Sequence, residues 1–259
     1  MVVEVIRGDL PVVLGQPHGS TDVPPEIWVR LNPRGKELAD TDWHIARLYD
    51  GLLPEASVVR AQFHRYVIDA NRDPTGASLY AGQATTGLVP ETGFDGAPIW
   101  SDPLTPEDSA ERLATYHAPY HAALEAEMTR VAARHGWAIL YDCHSIRSHV
   151  PNLFEGALPV LNIGTNNGAS CATEIEAVVH DLASASGLDT VLNGRFKGGW
   201  TTRHYGRPGQ GWHGVQMEIA QRAYLTGESP PWTYDDAKAA KLRAVLEPIL
   251  TSLARWRPA

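Results

Sequence analysis

Apolar residues along this chain fall into two rhythms, short unbroken runs and helical spacings, and the two alternate. Val12-Val13-Leu14-Gly15, passing into Gln16-Pro17, reads as a short buried strand. Trp137-Ala138-Ile139-Leu140-Tyr141-Asp142 is the clearest buried strand in the chain. Ser57–Ala61, Tyr66–Ala70, Val160–Ile163 and Val215–Ile219 read as further strands. Between Asp42 and Leu52, apolar residues at Trp43, Ile45, Ala46, Leu48 and Tyr49 follow a helical period. Thr105-Pro106-Glu107-Asp108 supplies an N-cap, a first-turn proline and a capping-box acid. The helix it opens is expected to run to about His135, with Gly136 to end it. Helices near Cys171–Ala185 and Asp235–Arg255 complete the order. Strands and helices in alternation predict an α/β fold, a mostly parallel sheet between helical layers.

The stretch from Pro74 to Pro103 breaks both rhythms. It is rich in Gly, Pro and Thr and too long for an ordinary connection, so a functional loop or lid is expected there. Elsewhere no repeat, low-complexity tract or long charge run marks a linker, and residues 1–259 read as one domain. The net charge of −8 argues against a nucleic-acid partner or an anionic membrane surface. No stretch approaches the roughly 20 apolar residues of a membrane span. The opening MVVEVIRGDL lacks the basic flank and apolar core of a signal peptide, and Cys143 and Cys171 form no C-x-x-C pair. A cytoplasmic location is the expectation, and nothing in the sequence sets an oligomeric state.

Chemistry concentrates where open α/β sheets place their ligands, at the carboxyl ends of strands. The first buried run leads into Pro17-His18-Gly19-Ser20 and the longest into Asp142-Cys143-His144-Ser145. A single histidine at such a place is more often a structural hydrogen bonder. Two, with the acidic cluster Asp40-Thr41-Asp42-Trp43 between them in sequence, point towards a metal. Asp40 suits a helix N-cap, which accounts less well for Asp42. Two imidazoles and a carboxylate are a common shell for catalytic zinc.

A second group is basic: Asn71-Arg72-Asp73-Pro74, Arg147, and Lys197, Arg203, His204 and Arg207 within one segment. Surface arginines are usually solvated, and Arg207 fits that reading as well as any other. Several guanidinium groups beside candidate metal ligands nonetheless suit a small substrate with two carboxylates. Glu218, inside the apolar run Val215-Gln216-Met217-Glu218-Ile219, could face solvent on an alternating strand. Beside a metal it would be the natural general base.

Taken in order, these blocks resemble the N-formylglutamate amidohydrolase family across roughly residues 10 to 225. The matching blocks are Pro17-His18-Gly19-Ser20, Asp40–Trp43, Asn71–Pro74, Asp142–Ser148, Lys197-Gly198-Gly199 with Thr202–Gly206, and Val215–Glu218. A further block, Asn162–Cys171, favours the deformylase of histidine degradation over remoter members. The chain departs from the family in having Gly19-Ser20 where Ser then Gly is usual. The resemblance implies a three-layer α/β/α sandwich like that of the zinc carboxypeptidases, with a mostly parallel mixed sheet. It also implies hydrolysis of N-formyl-L-glutamate to formate and L-glutamate. One divalent ion is implied, zinc first and cobalt or another divalent ion as alternatives, held by His18, Asp42 and His144. Glu218 and Arg203 would then be catalytic. Arg72, Arg147, Arg203, His204, Asn71 and Lys197 would bind substrate.

Two other readings stay open on the residues alone. One is a related zinc deacylase or carboxypeptidase-like hydrolase acting on another N-acyl acidic amino acid or a peptide. The other is a non-catalytic metal or amino-acid binding protein. A serine hydrolase lacks its G-x-S-x-G and a dinucleotide-binding protein its G-x-G-x-x-G.

Overall fold

The longest apolar run becomes the middle of the sheet. The computed structural model describes residues 1–78 and 84–258. Its strands are β1 (Val3–Ile6), β2 (Val12–Gln16), β3 (Ser57–Ala61), β4 (Ala138–Ile146), β5 (Leu161–Gly164), β6 (Thr190–Leu192) and β7 (Trp212–Ala220). They join in the order β1-β3-β2-β4-β7-β5-β6. Pairing is parallel between β2 and β3, β2 and β4, β4 and β7, and β5 and β6. It is antiparallel between β1 and β3 and between β5 and β7. The sheet is therefore mixed and mostly parallel.

The helices are α1 (Pro25–Trp28), α2 (Ile45–Tyr49), α3 (Pro106–Arg112), α4 (Ala118–His135), α5 (Thr173–Ala185), α6 (Trp200–Tyr205) and α7 (Asp236–Arg255). On one face, Ile175 and Val179 of α5 and Leu242, Leu246 and Ile249 of α7 cluster with Ile139, Tyr141, Val215 and Met217. On the other, Tyr120, Leu124 and Met128 of α4 cluster with Val13, Val59, Ala138 and Leu140. Helices thus cover both faces, as the α/β pattern requires. Among the described residues no helix is long and apolar enough to cross a membrane.

The strand period of two explains how a buried sheet carries polar groups. Along β4, Ile139, Tyr141 and Cys143 enter the α5–α7 core, while Ala138 and Leu140 face α4. The alternation continues, so Asp142 and His144 share the α4 face. Along β7, Val215, Met217 and Ile219 enter the first core, which turns Gln216 and Glu218 to the same side as His144. One face stays apolar throughout, and the other turns polar towards the strand ends.

Four expectations need correction. Tyr66–Ala70 is not a strand: every residue in it is buried, and its backbone is met by loops and side chains rather than a ladder. The helix expected over 42–52 shrinks to Ile45–Tyr49, because His44 adopts a left-handed φ of 57° and Asp42 is held elsewhere. The helix expected from Thr105 to His135 has the capping box and the Gly136 stop, but a π-turn over Leu113–His117 interrupts it. Pro119 explains the break, since it has no N–H for an α-helical bond and its ring crowds the preceding turn. The central strand, finally, runs on to Ile146, so His144 lies within β4 and not past it. In the loop from Pro74 to Pro103, residues 79–83 lie outside the described part, and the expectation of a lid falls partly on them.

Candidate active site

The chain leaves β2 to add β3 on one side and crosses to the other to add β4, which makes the β2–β4 boundary the switch point of the sheet. His18 follows β2 there and His144 comes up on β4, with ring centroids 5.0 Å apart. Asp42 reaches them from the turn before α2, its N–H bonded to the His18 carbonyl at 3.1 Å. All three side chains are buried.

Both imidazoles are gripped on the far nitrogen. Asp69 Oδ1 accepts from His18 Nε2 at 2.7 Å. Asp142 Oδ1 stands 3.0 Å from His144 Nε2, and Asn71 Nδ2 lies 3.2 Å from the same nitrogen. The carboxylates favour protons on Nε2, an assignment made from the partners, and so leave lone pairs on both Nδ1 atoms. Those two atoms are 3.2 Å apart, with Asp42 Oδ2 at 3.3 Å from one and 3.9 Å from the other. Three acceptors facing one another repel unless a positive charge sits among them, either a proton on His144 Nδ1, which Asp42 favours, or a metal ion that displaces it. A tetrahedral zinc site with bonds of about 2.0–2.1 Å has ligand–ligand edges of about 3.3–3.4 Å, which these separations approximate. The donor set fits a divalent ion, and the carboxylate behind each imidazole is the usual outer support of such ligands.

The surrounding charges are as tightly held. Arg65, buried, donates to Asp42 Oδ1 at 2.8 Å, while the Ser145 N–H donates to Oδ2 at 3.0 Å. Burial alone would raise the Asp42 carboxyl, but Arg65 and the two imidazoles hold it below its ordinary value. Burial, helped by Arg65, pushes His18 down to about 4. For His144 burial also opposes the charge, yet Asp142 and Asp42 raise it well above the usual histidine range. Glu218 pairs with His144 in the β4–β7 register. Burial lifts its carboxyl to about 8, against the pull of His144 and with the push of Asp42.

A cavity opens onto these groups. His18, His144, Glu218, Gln216, Arg65, Asn71, Arg72 and Arg195 supply its polar wall, and Phe94, Ile146, Leu153 and Phe196 its apolar one. Of the residues expected to bind substrate, Asn71 and Arg72 line it. Arg72 is aimed by its own anchors: Nε donates to the Thr86 carbonyl at 2.9 Å and a terminal nitrogen to Thr86 Oγ1 at 3.0 Å.

The expected convergence of the other cations does not occur. Arg147 binds Asp40 at 2.9 Å and lines a separate cavity with Tyr66 and Arg34. Arg203 gives its Nε to the Gly198 carbonyl at 2.9 Å, and His204 stacks on Trp200. Lys197, Arg203 and His204 are not in the wall of this cavity. Asp40 is a clamp and not a helix cap, accepting from Tyr66, Arg147 and the Phe94 N–H.

Three residues of the site escape the sequence reading: Arg65, Asp69 and Arg195. The first two had a signal, being charges inside the apolar run from Phe63 to Ala70, the same anomaly that marks Glu218. Arg195 had none.

A mostly parallel sheet with a His-Asp-His cluster at its switch point that could hold a metal ion, beside a cavity holding a buried carboxylate, has the layout of a hydrolase. The chain belongs to the N-formylglutamate amidohydrolase family, whose model matches residues 10–225. It is 46% identical over 258 residues to the N-formylglutamate deformylase of Pseudomonas aeruginosa, covering 96% of this chain and 95% of that one. To the N-formylglutamate deformylase of Pseudomonas putida it is 44% identical over 254 residues, covering 96% and 94%. The crystal structure of N-formylglutamate amidohydrolase from Ralstonia eutropha JMP134 has the same fold. Its TM-score is 0.82 at 22% identity, over 98% of this chain and 97% of that one.

Proposed function

We infer that this protein hydrolyses the amide of N-formyl-L-glutamate to formate and L-glutamate, as the names of its Pseudomonas relatives indicate for them. The observation that carries the chemistry is the β4–β7 register, which sets the Glu218 carboxylate beside His144 in the wall of a cation-lined cavity. His18, Asp42 and His144 would hold the ion, and zinc suits two imidazoles and a carboxylate with one position left open. When bound, a divalent ion there supplies Lewis-acid polarisation and a positive charge that favours the ionised form of Glu218.

The chain's own residues do the rest. Glu218 takes a proton from the attacking water as its oxygen bonds to the formyl carbon. Arg65 lines the cavity with a buried Nε that makes no hydrogen bond among the described residues. The Arg65 guanidinium would meet the negative charge developing on the carbonyl oxygen, in place of the catalytic Arg203 that the family resemblance implied. As the C–N bond breaks, Glu218 returns its proton to the departing nitrogen. The formic acid released ionises, and its proton completes the ammonium group of glutamate. Arg72 and Arg195, both in the cavity wall, would take the two carboxylates, with Asn71 beside Arg72.

Formate release from N-formylglutamate, measured with and without a chelator, tests this reading. Activity should vanish on chelation and return with added divalent ion. Equal turnover of N-formyl-norleucine, which has no side-chain carboxylate, would overturn the assignment of substrate.

A further inference from the structure

Residues 66–71 run buried and, with the half-buried Arg72, have no strand partner, so their carbonyls need donors from outside the sheet. Two come from a pair of histidines at the start of the long helix. His121 Nε2 donates to the Ala70 carbonyl at 2.7 Å, and His117 Nε2 to the Arg72 carbonyl at 3.0 Å. The π-turn ends at His117, and His121 lies one helical turn on, so both rings meet the same stretch of backbone, with centroids 4.4 Å apart. Both are buried, and burial lowers the pKa of each, that of His121 to about 3. At neutral pH each is an uncharged ring with one N–H, and that N–H is committed to a carbonyl.

The clamped backbone carries the supports of the site. Ala70 lies between Asp69, which grips His18 at 2.7 Å, and Asn71, whose amide is 3.2 Å from His144. Asp69 Oδ1 also accepts the Asn71 N–H at 2.8 Å, so the two move together. Arg72 follows, its guanidinium in the cavity wall. Helix α6 backs the histidines: Tyr205 Oη is 3.1 Å from His121 Nδ1, and Trp200 packs edge-on against His121 at 4.7 Å while stacking on His204. This gives His204 a place in the structure that substrate contact did not.

We propose that His117 and His121 are positioning residues with separate duties. His121 sets Asp69 and Asn71, and through Asp69 the orientation of His18; His117 sets Arg72, and so the grip on a substrate carboxylate. The substrate half of this inference rests on the deformylase reading, and the metal half does not.

The experiment compares Leu and Gln at each position, because Gln keeps an N–H at similar reach and Leu removes it. His117→Leu should raise KM for N-formylglutamate about tenfold, the scale set by leaving a buried acceptor unpaired, with kcat and cobalt affinity nearly unchanged. His121→Leu should weaken cobalt affinity, read by chelator competition, about tenfold and lower kcat, with KM nearly unchanged. His117→Gln and His121→Gln should restore wild-type values. If a Leu variant does not fold, the Asn variant, whose N–H stops short of the carbonyl, takes its place with the same expectation. Equal losses in kcat and KM that track the drop in Tm, or no rescue by Gln, would overturn the proposal. Wild-type protein that binds cobalt but releases no formate would sink the deformylase reading alone, leaving the cobalt affinities of the His121 variants to decide the metal half.

Discussion

Each oxygen of Asp42 has its own partners: Oδ1 takes Arg65, and Oδ2 faces both imidazoles while accepting the Ser145 N–H. Nothing is left over for a proton, which suits a ligand and not an acid. Glu218 is the opposite case. Among the described groups, its side chain meets the Gln216 amide at 3.3 Å, and burial holds its carboxyl up to about 8. A carboxylate so placed exchanges protons readily near neutral pH. Glu218→Gln keeps the size and removes the base, so kcat should fall at least ~10²-fold with bound metal and Tm little changed. Formate release and metal content measured on one sample decide it, since loss of the metal would make Glu218 a ligand instead. Arg65 shows the limit of reading residues one at a time. Its charge stands in plain view between His64 and Tyr66, but only the fold reveals that Asp42, far away in sequence, pairs with it.

Among the elements, β4 and β7 were the most legible, because period-two alternation by itself places Asp142, His144, Gln216 and Glu218 on one face. Tyr66–Ala70 misled for a physical reason: a run buried on every side looks like a central strand, and composition does not record that imidazoles and loops supply its hydrogen bonds. The basic residues misled differently. Arg147 and Arg203 sit in matching blocks, yet a charge shows its partner only once the chain is folded. The cap suggested for Asp40 did not form, whereas the capping box at Thr105 and Asp108 formed as expected. There Arg30, and then the Thr105 N–H, hold the Asp108 carboxyl well below its ordinary value. A depressed carboxyl adds stability above its unfolded pKa, 3.8, and loses it as pH falls through the folded one. Asp108→Asn should therefore lose less Tm than the wild type between about pH 5 and pH 2. Parallel acid melting curves for the two proteins would remove this account.

At the scale of the whole molecule, the three candidate ligands draw on the end of β2, the turn before α2 and the carboxyl-terminal part of β4, so an ion there would tie distant segments of chain. Binding to the folded state alone should stabilise by about 4 kcal/mol at a thousandfold excess over Kd, roughly 2–4 °C per kcal/mol for a chain of this class. Calorimetry should show Tm rising with added zinc or cobalt and falling with chelator. The His144→Ala variant should show neither response, and a response equal to wild type would remove His144 from the ligand set.

The strand order has one more consequence, for how the chain is made. β7, last of the seven described strands in sequence, does not join an edge: it enters between β4 and β5. A ribosome delivering this chain from its amino end produces β4 with one side open, and β5 and β6 with no neighbour in the main sheet, until Trp212–Ala220 emerges. Through that interval a strand nine residues long, buried throughout in the finished fold, offers an unpaired edge to any other chain. The closing strand is the one that carries Glu218, so until it arrives the nascent chain has neither a finished sheet nor the carboxylate on which turnover depends.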